Sequence, residues 1–276
     1  MKKRGKLFGA IGAMALMAAL CGCSSAAGSA QAQAMDFQAK LELKAPDPAA
    51  GNRPKILFVG NSHVFYNNLS LMFLNIVNGQ GRKSTVKELS SGYYSLKQYA
   101  DTQDQGGALL DKTLNKERWD FVILQENTSM ALSSAAQEEM FPSARVLDEK
   151  IKAAGGQSLF LMTWAPKNGM KSGFKQLKKE EVQADVAESY IAIADELDAL
   201  LAPAGIGFMR CAEAYPDIEL WDPDKQHPSQ AGSYLAACIL YAVIYQESPE
   251  NCPYISELDQ DVALKLQTIA AQLVLG

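Results

Sequence analysis

A serine, an aspartate and a histidine stand in this chain in an order that would make the serine a nucleophile. Ser62 directly follows an apolar run, in Ile56-Leu57-Phe58-Val59-Gly60-Asn61-Ser62. Far downstream, Asp224-Lys225-Gln226-His227-Pro228-Ser229 sets a carboxylate three residues before one of only two histidines. A serine hydroxyl attacks carbonyls poorly at neutral pH unless a base takes its proton, and an imidazole oriented by a carboxylate is the usual base. Asp224 would accept the Nδ1 proton of His227 and leave Nε2 to serve Ser62. Each residue also has an ordinary explanation. A serine after a strand often makes a turn or caps a helix, a lone histidine is more often structural, and Ser229 can cap the apolar helix that follows. Asp222 is an alternative carboxylate, two residues upstream of Asp224.

For Ser62 and His227 to meet, distant segments must be folded to one edge of a scaffold. Apolar runs alternate with helix-length segments, the pattern of a parallel sheet with helices on both faces. Strands are expected at Lys55–Val59, Thr85–Leu89, Phe121–Gln125, Ser158–Thr163 and Gly207–Arg210. Helices are expected at Leu69–Asn78, Ala108–Asn115, Ser133–Ala154, Lys178–Leu201, Ser229–Tyr245 and Glu257–Leu273. The third and fourth strands are almost continuously apolar, as strands buried on both faces are. The expected class is α/β: a three-layer α/β/α fold on a flavodoxin-like, open, five-stranded parallel sheet. Such sheets bind ligands beyond the carboxyl ends of their strands. That rule places Asn61 and Ser62, residues 89–92, residues 125–127, and Thr163 with Trp164 at the functional edge.

Gly-x-Ser after the first strand and Asp-x-x-His before a late helix resemble the SGNH (GDSL-type) hydrolase superfamily of esterases and lipases. His-Pro-Ser-x-x-Gly, residues 227–232, is the most specific match, and the blocks come in order over nearly the whole domain. Where that family usually reads Gly-Asp-Ser-Leu, this chain has Gly60-Asn61-Ser62-His63, so only the glycine and serine agree. An amide at position 61 can still hold the turn by hydrogen bonding.

The resemblance implies an oxyanion hole made by the Ser62 N–H, by Gly92 after the second strand and by the side chain of Asn127 after the third. Gln125 stands where many relatives carry glycine, and its amide is a further candidate donor. It implies a serine esterase that transfers an acyl group to water, with acetyl esters of carbohydrate as the leading substrate class and lipid or short-chain esters next. No metal or organic cofactor is implied, and two distant histidines without His-Glu-x-x-His oppose a metal hydrolase. The departures at Asn61, His63 and Gln125 keep an alternative open: a non-catalytic surface lipoprotein holding glycan or peptide on the same scaffold. His63 reads as a helix-start residue exposed near the site, with substrate contact the alternative, and Trp164, Tyr93 and Tyr94 suit either a stacking surface for substrate or aromatic packing.

The chain begins with Lys2, Lys3, Arg4 and Lys6, then an apolar run from Leu7 to Leu20. That is the layout of a secretory signal, too short for a comfortable membrane span. It ends in Leu20-Cys21-Gly22-Cys23, which resembles a bacterial lipobox, so lipidation is expected at Cys23 after removal of the preceding residues. The alternative is ordinary cleavage near the alanines before Met35. The expected layout is residues 1–23 as lipoprotein signal, 24–54 as flexible tether and 55–276 as hydrolase domain. The expected place is the bacterial envelope outside the cytoplasm, held to the membrane by lipid. A net charge of −5 and a pI of about 5.2 argue against a nucleic-acid partner. The lysines from Lys167 to Lys179 read as a solvated loop and helix start. Cys211, Cys238 and Cys252 allow at most one disulfide within the domain, with a buried free thiol the default for Cys238.

Overall fold

In the computed structural model, which describes residues 35–276, the run after Pro54 becomes β1 (Lys55–Gly60). Ile56 to Val59 are wholly buried, which requires cover on both faces. The chain continues through β2 (Thr85–Ser90), β3 (Phe121–Leu124), β4 (Gln157–Leu161), the hairpin pair β5 (Met170–Ser172) and β6 (Lys175–Leu177), and β7 (Leu200–Ala202). The main sheet has five strands in the order β2-β1-β3-β4-β7, all parallel. The most apolar strands lie inside. β2 carries Lys87 and Glu88 at one edge and β7 is only three residues long at the other, two common ways of protecting a sheet edge.

Helices cover both faces. Leu69–Gly79, Gln230–Tyr245 and Gln260–Val274 pack together in one layer; Gln105–Lys116 packs against Phe141–Ala153 in the other, and the short Leu96–Ala100 helix touches both of these. Residues 231–244 are buried around the whole circumference of their helix, as an all-apolar helix demands. Cys211, Cys238 and Cys252 are buried free thiols. Among the described residues no helix is long and apolar enough to cross a membrane.

Two expectations are corrected. Residues 207–210 are not the fifth strand; they lie in the helix Ala204–Ala214, and the strand is β7, inside the stretch expected to continue the preceding helix. That helix ends at Glu196. The Ala204–Ala214 helix keeps glycines at 205 and 207 because its neighbours pack too closely for a side chain. A Cβ on Gly205 would sit 2.2 Å from the Thr163 carbonyl, and one on Gly207 would sit 2.6 Å from Ile239 Cδ1.

The second correction concerns the tether, which does not extend to Pro54. From Met35 on the chain is a strap fastened to the domain, with Phe37, Leu41, Leu43 and Ala49 packed on the core. Arg210 donates to the Phe37 and Ala39 carbonyls at 2.7 and 2.8 Å. Gln157 exchanges two hydrogen bonds with the Asp47 backbone. The signal segment, Cys23 and the first part of the tether lie outside the described residues.

The lysine-rich stretch after Pro166 is also more ordered than a loop. It forms the exposed β5–β6 hairpin, flanked by the ion pairs Lys167–Glu219 and Lys175–Glu181.

Candidate active site

Gly60 ends β1, and Ser62 opens a one-turn helix, Ser62–Phe65. Asn61 shapes the turn. Its Oδ1 accepts the His63 N–H at 3.2 Å, and its Nδ2 donates to the Tyr94 carbonyl at 2.8 Å. The Asn61 N–H donates to Gln125 Oε1 at 2.8 Å. An asparagine where the SGNH block has aspartate therefore still holds the turn, by the same kind of side-chain capping.

His227 stands on the loop between the Ala204–Ala214 and Gln230–Tyr245 helices, and that loop returns to the carboxyl edge of the sheet. Its Nε2 lies 2.9 Å from Ser62 Oγ and its Nδ1 lies 2.5 Å from Asp224 Oδ2. Asp224 Oδ1 also accepts the N–H groups of Gln226 and His227, each at 2.9 Å, which closes the loop around the carboxylate. Desolvation alone would raise the Asp224 carboxyl. The hydrogen bonds from the His227 ring and the two backbone amides outweigh it and hold its pKa at about 2. Asp222, the alternative carboxylate, meets this loop through its backbone, donating its N–H to the His227 carbonyl at 2.8 Å. Ser229 caps the next helix by accepting the Gly232 N–H.

The imidazole is held from its face as well as its edges. Tyr66 stacks on it with ring centroids 4.0 Å apart and planes 6° from parallel. His63 lies at the helix start as expected but is buried, not exposed, because its ring packs 5.7 Å from His227 and edge-on to Trp164 at 4.9 Å. Trp164 is not a substrate platform. It is buried, stacks on Phe208 at 4.4 Å, and donates through Nε1 to the Gln226 carbonyl. Burial and the neighbouring His227 charge push the His63 pKa down to about 4, so this ring is neutral at pH 7.

The expected oxyanion donors come from adjoining loops. The Ser91 N–H donates to the Gly60 carbonyl, which ties the Gly92 turn to the end of β1. A side chain on Gly92 would meet nothing within 4 Å, so the turn borders open space. Asn127 Oδ1 is occupied by the N–H and hydroxyl of Ser129, which leaves Nδ2 as the donor it can offer.

Gln125 is corrected. It is wholly buried, its Oε1 takes the Asn61 N–H and its Nε2 donates to the Glu126 carbonyl at 2.6 Å. Its amide holds the Ser62 turn and is not directed at a substrate.

Glu126, which the sequence did not single out, is buried beside Asn127. It accepts the Leu96 and Asn127 N–H groups, and burial pushes its pKa up to about 7. Of the two adjacent tyrosines, Tyr94 is partly buried while Tyr93 is almost fully exposed in a left-handed turn.

The fold with this site is the three-layer α/β/α arrangement of SGNH hydrolases, and solved structures of that kind are similar to it. A candidate SGNH hydrolase from Slackia heliotrinireducens is 28% identical, with a TM-score of 0.60 over 70% of this chain and 99% of that one. A DUF4886 family protein from Bacteroides uniformis is 17% identical, with a TM-score of 0.67 over 79% of this chain and 93% of that one. An acetyl xylan esterase is 15% identical, with a TM-score of 0.51 over 69% of this chain and all of that one. No protein-family model matches the chain, and no curated protein matches it.

Proposed function

We propose that the protein is a serine esterase that uses Ser62, His227 and Asp224 to hydrolyse a small acyl ester, acetyl first, carried by a carbohydrate alcohol. The observation that carries this reading is the unbroken line of hydrogen bonds from Asp224 Oδ2 through both ring nitrogens of His227 to Ser62 Oγ. His227 Nε2 takes the Ser62 proton as Oγ attacks the ester carbonyl. The Ser62 and Gly92 N–H groups and Asn127 Nδ2 receive the charge that develops on the carbonyl oxygen. The imidazolium then protonates the departing alcohol, and His227 next deprotonates water to release the acid and restore Ser62. Asp224, ionised well below neutral pH, keeps the imidazole in the tautomer that presents Nε2 as acceptor. The acetyl and carbohydrate preference is drawn from the family resemblance of the sequence and from the envelope location expected of the signal segment.

Purified protein should hydrolyse p-nitrophenyl acetate and acetylated xylan fragments, and Ser62→Ala should lower kcat by about a thousandfold or more. Equal rates for wild type and variant on both substrates would sink the esterase reading and leave a ligand-holding scaffold. The Leu20-Cys21-Gly22-Cys23 ending motivates the accompanying proposal that lipid on Cys23 holds the enzyme to the outer face of a bacterial membrane, with Cys23→Ser releasing it.

A further inference from the structure

The nucleophile and its base stand 165 positions apart, and the hydrogen bond between them must break and re-form in every turnover. Something else has to keep their two segments in register. Asn67, just beyond the one-turn helix of Ser62, reaches across to the base loop. Its Nδ2 donates to the carbonyl of Pro228, the residue after His227, and to Ser233 Oγ in the first turn of the following helix, both at 2.9 Å. The neighbouring Tyr66 ring lies flat on the imidazole. Asn67 and Asn68 hold φ of +54° and +52°, a left-handed conformation that asparagine tolerates better than most residues. The chain thus accepts two strained residues in succession where the Asn67 amide meets the base loop.

We propose that Asn67 is a positioning residue, whose amide holds the His227 loop at the distance from which Nε2 can take the Ser62 proton. The inference rests on the triad reading, and Asn67 itself touches no reacting atom. Displacing a catalytic group by about 1 Å costs on the order of a hundredfold in rate, so the loss of this tie should be felt in kcat.

Four proteins test it on p-nitrophenyl acetate: wild type, Asn67→Gly, Asn67→Asp and Asn68→Gly. Glycine at 67 keeps the left-handed backbone and deletes both hydrogen bonds. Glycine at 68 makes the same backbone change where the side chain makes no capping hydrogen bond. The expected result is a fall of about tenfold or more in kcat for Asn67→Gly, with KM and the thermal midpoint little changed and Asn68→Gly close to wild type. Asn67→Asp keeps the shape but turns a carboxylate toward the Pro228 carbonyl, and should lose at least as much; it carries the test if the glycine variant does not fold. A wild-type kcat in both Asn67 variants, equal losses in Asn67→Gly and Asn68→Gly, or a loss confined to KM would overturn the proposal. Failure of the esterase reading would look different, because wild type itself would then be no faster than Ser62→Ala.

Discussion

His63 beside His227 and Glu126 beside Asn127 are buried titratable side chains, and their surroundings drive them in opposite directions. Burial first, then the charge of His227, lowers His63 to about 4, against partial offsets from Gln226 and Asp224. Burial raises Glu126 to about 7, helped by Glu139, although two backbone N–H groups pull it back. The linkage signs follow. The unfolded chain protonates His63 near 6.5, so its contribution is complete above that pH and is lost as pH falls toward about 4. Glu126 has a folded value above its unfolded 4.5, so its contribution is complete below 4.5 and is lost as pH rises through about 7. In the shared window the two offset each other. Between pH 4.5 and 6.5 the thermal midpoint of His63→Leu should therefore fall more steeply with rising pH than that of wild type, and that of Glu126→Gln should rise relative to it. Calorimetric curves that run parallel for all three proteins would refute this. Neither shift was legible in the sequence, because each arises from burial by remote segments: His63 read as an exposed helix start, and Glu126 was not singled out.

The elements most readable in the sequence were those with long, uniform patterns. β1, β3 and the Gln230–Tyr245 helix fall where apolar runs placed them, because a strand or helix covered on all sides needs an unbroken apolar stretch. β7 was missed because three residues, Leu200–Ala202, are too few for a period to separate from the helix before them. Gly60 shows how closely the elements approach at the site. A Cβ there would lie 2.5 Å from Gln125 Oε1 and 2.7 Å from Val64 Cγ2. Gly60→Ala should therefore push the Gln125 amide off the Asn61 N–H, lowering stability by about 1–3 kcal/mol and reducing esterase activity with it. Urea unfolding and p-nitrophenyl acetate hydrolysis that both match wild type would show that the turn can yield at no cost.

On the scale of the whole molecule, the strap and the site occupy opposite edges of the sheet. Asp120, just before β3, accepts the N–H groups of Ala50 and Lys55, and Gln157 at the start of β4 holds Asp47. These are the amino ends of the strands, whereas Ser62, Gly92 and Asn127 follow carboxyl ends. The chain therefore enters the domain away from the proposed catalytic edge. On the proposal that Cys23 is lipidated, Cys23→Ser should move the protein from a detergent-enriched phase to the aqueous one; unchanged partitioning would count against a lipid anchor. The alternation of strands and helices and the Asp224–His227 pair were readable from residue order, because period and short spacing are local properties of a chain. That Ser62 meets His227, that Gln125 serves the Asn61 turn and not a substrate, and that Trp164 belongs to the core emerged with the folded arrangement alone. Those outcomes depend on contacts between remote segments, where packing and the closure of long loops select the partners and no local pattern records the choice.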